Sequence, residues 1–232
     1  MKKQKRVIFV LDRTGSMLVR KSQTIMSYNE YLSEIRLDPE ICFTLVQFSS
    51  MGTEVTYKHV PIADVQDLTN ANYVLAGMTP LIEAVMKAIA ATERVAGADD
   101  RIVMTILTDG EENASSAEYT AQALAAKVKA KTEEGWKFVF LGASMDAYAE
   151  ASKYGIAAGA TMSYDSTDIG ATKAAFRSTA ANTMSFMDGD ASFDFTPEQR
   201  GAAKDVHDPS LAVQHQETAS KTTPLSEDID LS

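Results

Sequence analysis

The stretch that decides the fold is Arg6-Val7-Ile8-Phe9-Val10-Leu11-Asp12-Arg13-Thr14-Gly15-Ser16-Met17. Its apolar run, Val7 to Leu11, is continuous and stops abruptly at Asp12. A short unbroken run reads as a strand covered on both faces, as in a parallel sheet, because a strand with one wet face alternates instead. Directly after it, Asp12, Thr14, Gly15 and Ser16 place a carboxylate, two hydroxyls and a glycine where the strand hands over to a loop.

Outward from this run, Ile25, Tyr28, Leu32 and Ile35 predict a helix from about Lys21 to Arg36, which Asp38-Pro39 ends. Ile41 to Phe48 reads as a second strand, Ser49-Ser50-Met51-Gly52 as a turn, and Thr53 to Pro61 as a half-exposed edge strand pairing antiparallel with it. Asp64 to Leu75 is loop or short helix. Pro80 suits the first turn of a helix running to about Val95, with Leu81, Ile82, Val85, Met86 and Ile89 on its buried side. A strand from Ile102 to Leu107 stops at Thr108-Asp109-Gly110. A helix at 117–132, a strand at 137–141, a short helix at 146–154, a strand at 160–164 and a helix at 169–187 complete the pattern. Alternating strands and helices imply right-handed βαβ units. The expected fold is α/β: a doubly wound, mostly parallel sheet of about six strands with one antiparallel edge strand and helices on both faces.

Composition narrows the function. The 232 residues suit one α/β domain with an extension, or two small domains, and a hydrophobic content of 45% is that of an ordinary globular core. A net charge of -10 and a pI near 4.8 exclude nonspecific binding to nucleic acid or to anionic membrane. Cys42 is the single cysteine, so no internal disulfide can form. It lies in the apolar run Ile41 to Val46 and is expected to be buried. A cytoplasmic setting is expected, since the run after the basic residues Lys2, Lys3, Lys5 and Arg6 is too short for a signal peptide or a membrane span. His59, His207 and His215 are scattered and suggest no histidine metal cluster. Beyond Met187 acidic residues dominate, apolar ones are sparse, and Pro197, Pro209 and Pro224 interrupt helices. Residues 1–187 are therefore expected to form the domain and 188–232 a disordered acidic tail. Within that tail, Ser226 to Leu231 reads either as a short motif or as part of a solubilising extension.

Three short features fall where strands end or helices begin: Asp12 to Met17, Gly77-Met78-Thr79-Pro80, and Thr108-Asp109-Gly110. Ligands of open α/β sheets bind beyond the carboxyl ends of the strands, where strand order reverses. If the first strand and the Ile102 to Leu107 strand are neighbours, all three features converge there. Singly each has a plain reading: Asp12 as a cap, Thr79 before Pro80 as a helix start, Asp109-Gly110 as a turn.

Over residues 6–187 the chain resembles the von Willebrand factor A domain family, whose metal-ion-dependent adhesion site combines a D-x-S-x-S loop, a Thr and a second Asp. Here the loop reads Asp12-x-Thr14-x-Ser16, with Thr79 and Asp109 completing the set. Thr14 stands where the family usually has Ser, keeping the hydroxyl and adding a methyl. The strings Val7 to Asp12 and Leu107-Thr108-Asp109-Gly110-Glu111-Glu112-Asn113 are similar to stand-alone prokaryotic and phage members. The resemblance implies a bound Mg²⁺, with Mn²⁺ or Ca²⁺ as alternatives. Thr14, Ser16 and Thr79 would act through hydroxyls, and Asp12 and Asp109 largely through water. A cation so little neutralised attracts an acidic side chain, so the implied partner is a protein supplying Glu or Asp, not nucleic acid and not a membrane. Met17, Met78, Glu111, Glu112 and Asn113 are candidates for the rim that meets it, against packing roles for the methionines and a solvated acidic loop for the rest.

Two other classes stay in view. An Asp after the first strand also serves as nucleophile in haloacid-dehalogenase-type phosphotransferases, but Thr14 stands where their general acid would be, and no Gly-Lys-Ser/Thr phosphate loop is present. A non-enzymatic role is therefore expected. A structural subunit of a phage or cellular assembly, or a module serving an ATP-driven chelatase or chaperone, would use the same residues.

Overall fold

In the computed structural model, which describes residues 3–209, β1 (Lys5–Asp12) lies inside a six-stranded sheet ordered β3-β2-β1-β4-β5-β6. The continuous apolar run of β1 is explained by its position. Val7, Phe9 and Leu11 face one core and Ile8 and Val10 the other, and all are fully buried. The first core is closed by α1 (Lys21–Ile35) and α5 (Ile169–Asp188), where Phe9 meets Tyr28, Tyr31 and Phe176 ring to ring. The second is closed by α2 (Leu81–Glu93), α3 (Ala121–Glu133) and α4 (Ala147–Lys153).

β1 pairs in parallel with both β2 (Ile41–Ser49) and β4 (Arg101–Thr108). After β1 the chain runs outward through β2 and the antiparallel edge strand β3 (Gly52–Pro61), then returns across the sheet through α2 to β4 on the other flank. The strand order therefore reverses between β1 and β4, and it is beyond the carboxyl ends at such a point that open α/β sheets bind their ligands. β5 (Lys137–Ala143) and β6 (Thr161–Tyr164) continue the parallel order. The expected α/β fold, with its single antiparallel edge strand, is what is observed.

Local details differ from the sequence reading. Pro80 occupies the cap of α2 instead of its first turn. α3 starts at Ala121, not Ala117, because the Thr120 side chain accepts from the Ala123 N–H (3.1 Å) and fixes the start. Cys42 is only half-buried.

The expected domain boundary at Met187 is not where packing ends. Gly189 (φ 136) stops α5, after which Phe193 and Phe195 pack edge to face in the same core as Phe186 and Met187. Thr196 and Gln199 form a capping box that starts α6 (Pro197–Ala202). Arg200 is nearly buried, donating to Thr161 O (2.6 Å) and Ala158 O (2.9 Å) and pairing with Asp205 (3.3 Å). Average composition hid this: two phenylalanines and one charge-paired arginine suffice to anchor an acidic segment against the β6 edge. Residues 210–232, including Ser226 to Leu231, lie outside the described residues. No helix among the described residues is long and apolar enough to cross a membrane.

Candidate metal centre

The three features do converge. Asp12 ends β1 and is fully buried; its Oδ1 accepts the Thr14 N–H (2.7 Å) and its Oδ2 the Thr108 hydroxyl (2.7 Å). The first bond is an Asx turn, so part of the plain reading of Asp12 holds. That turn carries the chain into a 3₁₀ turn, Gly15–Arg20, that leaves Ser16 exposed and Thr14 covered. The Thr14 and Ser16 hydroxyl oxygens lie 2.9 Å apart, and Ser16 donates to Asp109 Oδ1 (2.6 Å). The Gly15 N–H donates to Gly77 O (3.1 Å), joining the first loop to the second. A side chain at Gly110 would stand 3.7 Å from Thr79 Oγ1, so the third loop abuts the second. Gly77 itself has φ +80, and a Cβ there would meet Ser50 Oγ at 2.5 Å; the close approach of the loops needs glycine at this position.

Thr79 is buried, and its hydroxyl does not cap α2. Glu112 does that instead. Its Oε2 accepts from Ile82 N (2.7 Å), and its Oε1 accepts from Ala114 N (2.8 Å) and Ser115 N (2.7 Å). Asn113 clamps Thr79: its Oδ1 accepts the Thr79 N–H (2.8 Å) and its own N–H donates to Thr79 O (3.1 Å). Glu112 and Asn113, expected on the partner rim, are thus committed to positioning the second loop. Met17 is also not on the rim. The 3₁₀ turn rotates it inward, and it is fully buried in the α1 core. Met78 (57% exposed) and Glu111 remain on the surface. Leu18 (68% exposed) and Val19 (85% exposed) of the 3₁₀ turn are also on the surface, and Met51 is exposed against Gly77.

Other contributors were also silent in the sequence. Thr108 holds Asp12, the Tyr73 hydroxyl donates to the Asp12 carbonyl (2.6 Å), and Arg20 donates to Asp109 Oδ2. Only Thr108 sat inside a quoted motif; Tyr73 and Arg20 carry no local signal. Burial pushes the Asp12 carboxyl above its usual range, against the pull of the Thr108 and Thr14 hydrogen bonds and the Arg20 charge.

The donor set can be tested against an ion. Mg²⁺ binds six oxygens at about 2.0–2.1 Å, which sets neighbouring ligands about 2.9 Å apart. The Thr14 and Ser16 oxygens have that separation (2.9 Å); Asp109 accepts from the Ser16 hydroxyl, and Asp12 accepts from the Thr14 N–H. The residues fit a small divalent cation held chiefly by hydroxyls. Among the described residues no group of three or more His, Cys, Asp or Glu is placed to share an ion, so a carboxylate-wrapped cation has no counterpart there.

No family profile and no curated protein sequence matches the chain. Solved structures do match its fold. The pilus adhesin SpaC from Lactobacillus rhamnosus GG aligns with a TM-score of 0.63 at 14% identity, covering 78% of this chain and 30% of that one. A von Willebrand factor type A protein from Catenulispora acidiphila gives 0.56 at 16%, covering 78% and 43%. Proximal thread matrix protein 1 from the mussel byssus, described with a zinc-occupied MIDAS motif, gives 0.53 at 13%, covering 80% and 45%. The chain spans less than half the length of each of these proteins. It has the von Willebrand factor A fold.

Proposed function

We propose that this chain is a divalent-cation-dependent protein-interaction module and not an enzyme. Thr14, Ser16 and Thr79 hold the ion by their hydroxyls, and Asp12 and Asp109 through water. Mg²⁺ is the ion proposed, with Mn²⁺ or Ca²⁺ as substitutes. The bound ion supplies an electrophilic point for a Glu or Asp of the partner. The setting proposed is the cytoplasm of a prokaryotic or phage system.

One observation carries the reading: two hydroxyl oxygens 2.9 Å apart stand between two carboxylates whose oxygens are already engaged by hydrogen bonds. Carboxylates so engaged stay in the outer sphere, which leaves the cation's charge for an external anion. The zinc-occupied motif of the mussel protein and the adhesin among the similar structures support the same reading. The same geometry disfavours Asp12 as a nucleophile, because it is fully buried and both its carboxylate oxygens are taken.

Capture of partner proteins on immobilised full-length chain, with Mg²⁺ or with chelator, tests the proposal. Proteins retained in Mg²⁺ and released by chelator, with the circular dichroism unchanged, are the expected result. Retention in chelator contradicts it.

A further inference from the structure

Arg20 closes the 3₁₀ turn that follows the Asp12 loop, one position before α1. Its guanidinium is turned inward: Nη1 donates to Asp109 Oδ2 and Nε to Ser166 Oγ (2.9 Å). Ser166 is buried, and it is itself tied to Ser144 Oγ through both its hydroxyl (2.7 Å) and its N–H (3.0 Å). The β6–α5 loop therefore holds Arg20 from behind. The Asp109 side chain has no exposed surface; Ser16 takes one oxygen and Arg20 the other.

A carboxylate committed to a full positive charge has less to offer a second cation. Two positive charges a few ångströms apart also repel strongly in a partly shielded crevice. We infer that Arg20 is a built-in counter-ion of Asp109 that competes with the divalent cation and sets the affinity of the centre. This rests on the metal reading above. Cation binding loosens the Arg20–Asp109 pair, and Ser166 determines how readily it loosens. If Arg20 served only to position Asp109, its removal would have the opposite effect on affinity, so the sign of the change discriminates.

Calorimetric titration of Mg²⁺ into the full-length chain tests this, using Arg20→Gln, Ser166→Ala and, as a control, Lys21→Gln. Lys21 is the neighbouring charge but reaches Asn70 O (3.4 Å), away from Asp109. Arg20→Gln is expected to tighten Mg²⁺ binding by at least about tenfold, with Ser166→Ala shifting the same way by less and Lys21→Gln staying within about twofold. Unchanged or weaker binding in a folded Arg20→Gln variant overturns the inference. Should that variant not fold, unchanged or weaker binding in Ser166→Ala overturns it instead. Absence of binding in every variant and in the wild type defeats the metal reading itself, whereas equal binding in all of them defeats only the role given to Arg20.

Discussion

Thr14 shows how one residue serves both fold and site. Its N–H fixes the Asx turn on Asp12, and its hydroxyl faces Ser16 at 2.9 Å. Thr14→Ser keeps both groups and should leave Mg²⁺ affinity within about threefold, while Thr14→Ala removes a hydroxyl proposed as a direct ligand and should weaken it about 10–100-fold by calorimetry. Equal affinity in Thr14→Ala would remove this residue from the coordination set. That the loops carrying Asp12, Thr14, Ser16, Thr79 and Asp109 come together was legible in the sequence, because each lies at a strand end or a helix start in a spaced motif. Arg20, Thr108 and Tyr73 were not, since what matters about them is a contact with a loop distant in sequence. For Met17 the packing alternative holds and the rim role does not, because the 3₁₀ turn, which the sequence did not announce, sends adjacent residues to opposite sides.

Among elements, the loop leading into α2 owes its shape to the loop after β4. Glu112 accepts the Ile82 N–H at the start of α2, a group that has no partner within the helix. Glu112→Ala should therefore cost about 1–2 kcal/mol in denaturant unfolding and also weaken Mg²⁺ binding by displacing Thr79. An unchanged metal affinity would separate α2 capping from the site. Leu18 and Val19, exposed in the 3₁₀ turn, predict a different split. Val19→Asp should reduce partner capture severalfold while leaving Mg²⁺ affinity within about twofold, since it changes an exposed apolar side chain and none of the proposed ligands. Loss of both together would mean that the turn had been disrupted. The sheet itself was readable because its central strands are unbroken apolar runs. The start of α3 was less readable, because Thr120 acts through a side-chain cap and not through apolar periodicity.

For the whole molecule, stability depends on charges that composition alone cannot place. Asp100 is half-buried, which opposes its ionisation, yet Arg6 (2.7 Å) and the N–H groups of Gly97 and Gln4 prevail and hold its pKa below the usual value. The folded state thus favours the ionised form. This contribution is fully present above the ordinary carboxylate pKa of about 3.9 and is lost as pH falls through the lower folded value. Asp100→Asn should accordingly narrow the stability difference between about pH 6 and about pH 3, read by thermal unfolding; an unaltered difference would contradict the assignment. Beside the β6 edge, Arg200→Ala leaves the buried Asp205 with its Tyr148 and Ser163 hydrogen bonds but without its cationic partner, and should cost about 3–5 kcal/mol. Limited proteolysis should then cut within 189–208 in the variant but not in the wild type; early cutting there in both would mean that α6 is not anchored as described. The acidic composition beyond Met187 concealed this packing, because a few well-placed contacts outweigh a polar average.

The proposed function requires a cation held by the alcohol oxygens of the Asp12 loop. Anomalous scattering from crystals soaked in Mn²⁺ locates such an ion without recourse to activity. A peak about 2.1 Å from both Thr14 Oγ1 and Ser16 Oγ is predicted, lost in Asp109→Ala crystals. Fully diffracting, Mn²⁺-soaked crystals with no peak between the loops would contradict it.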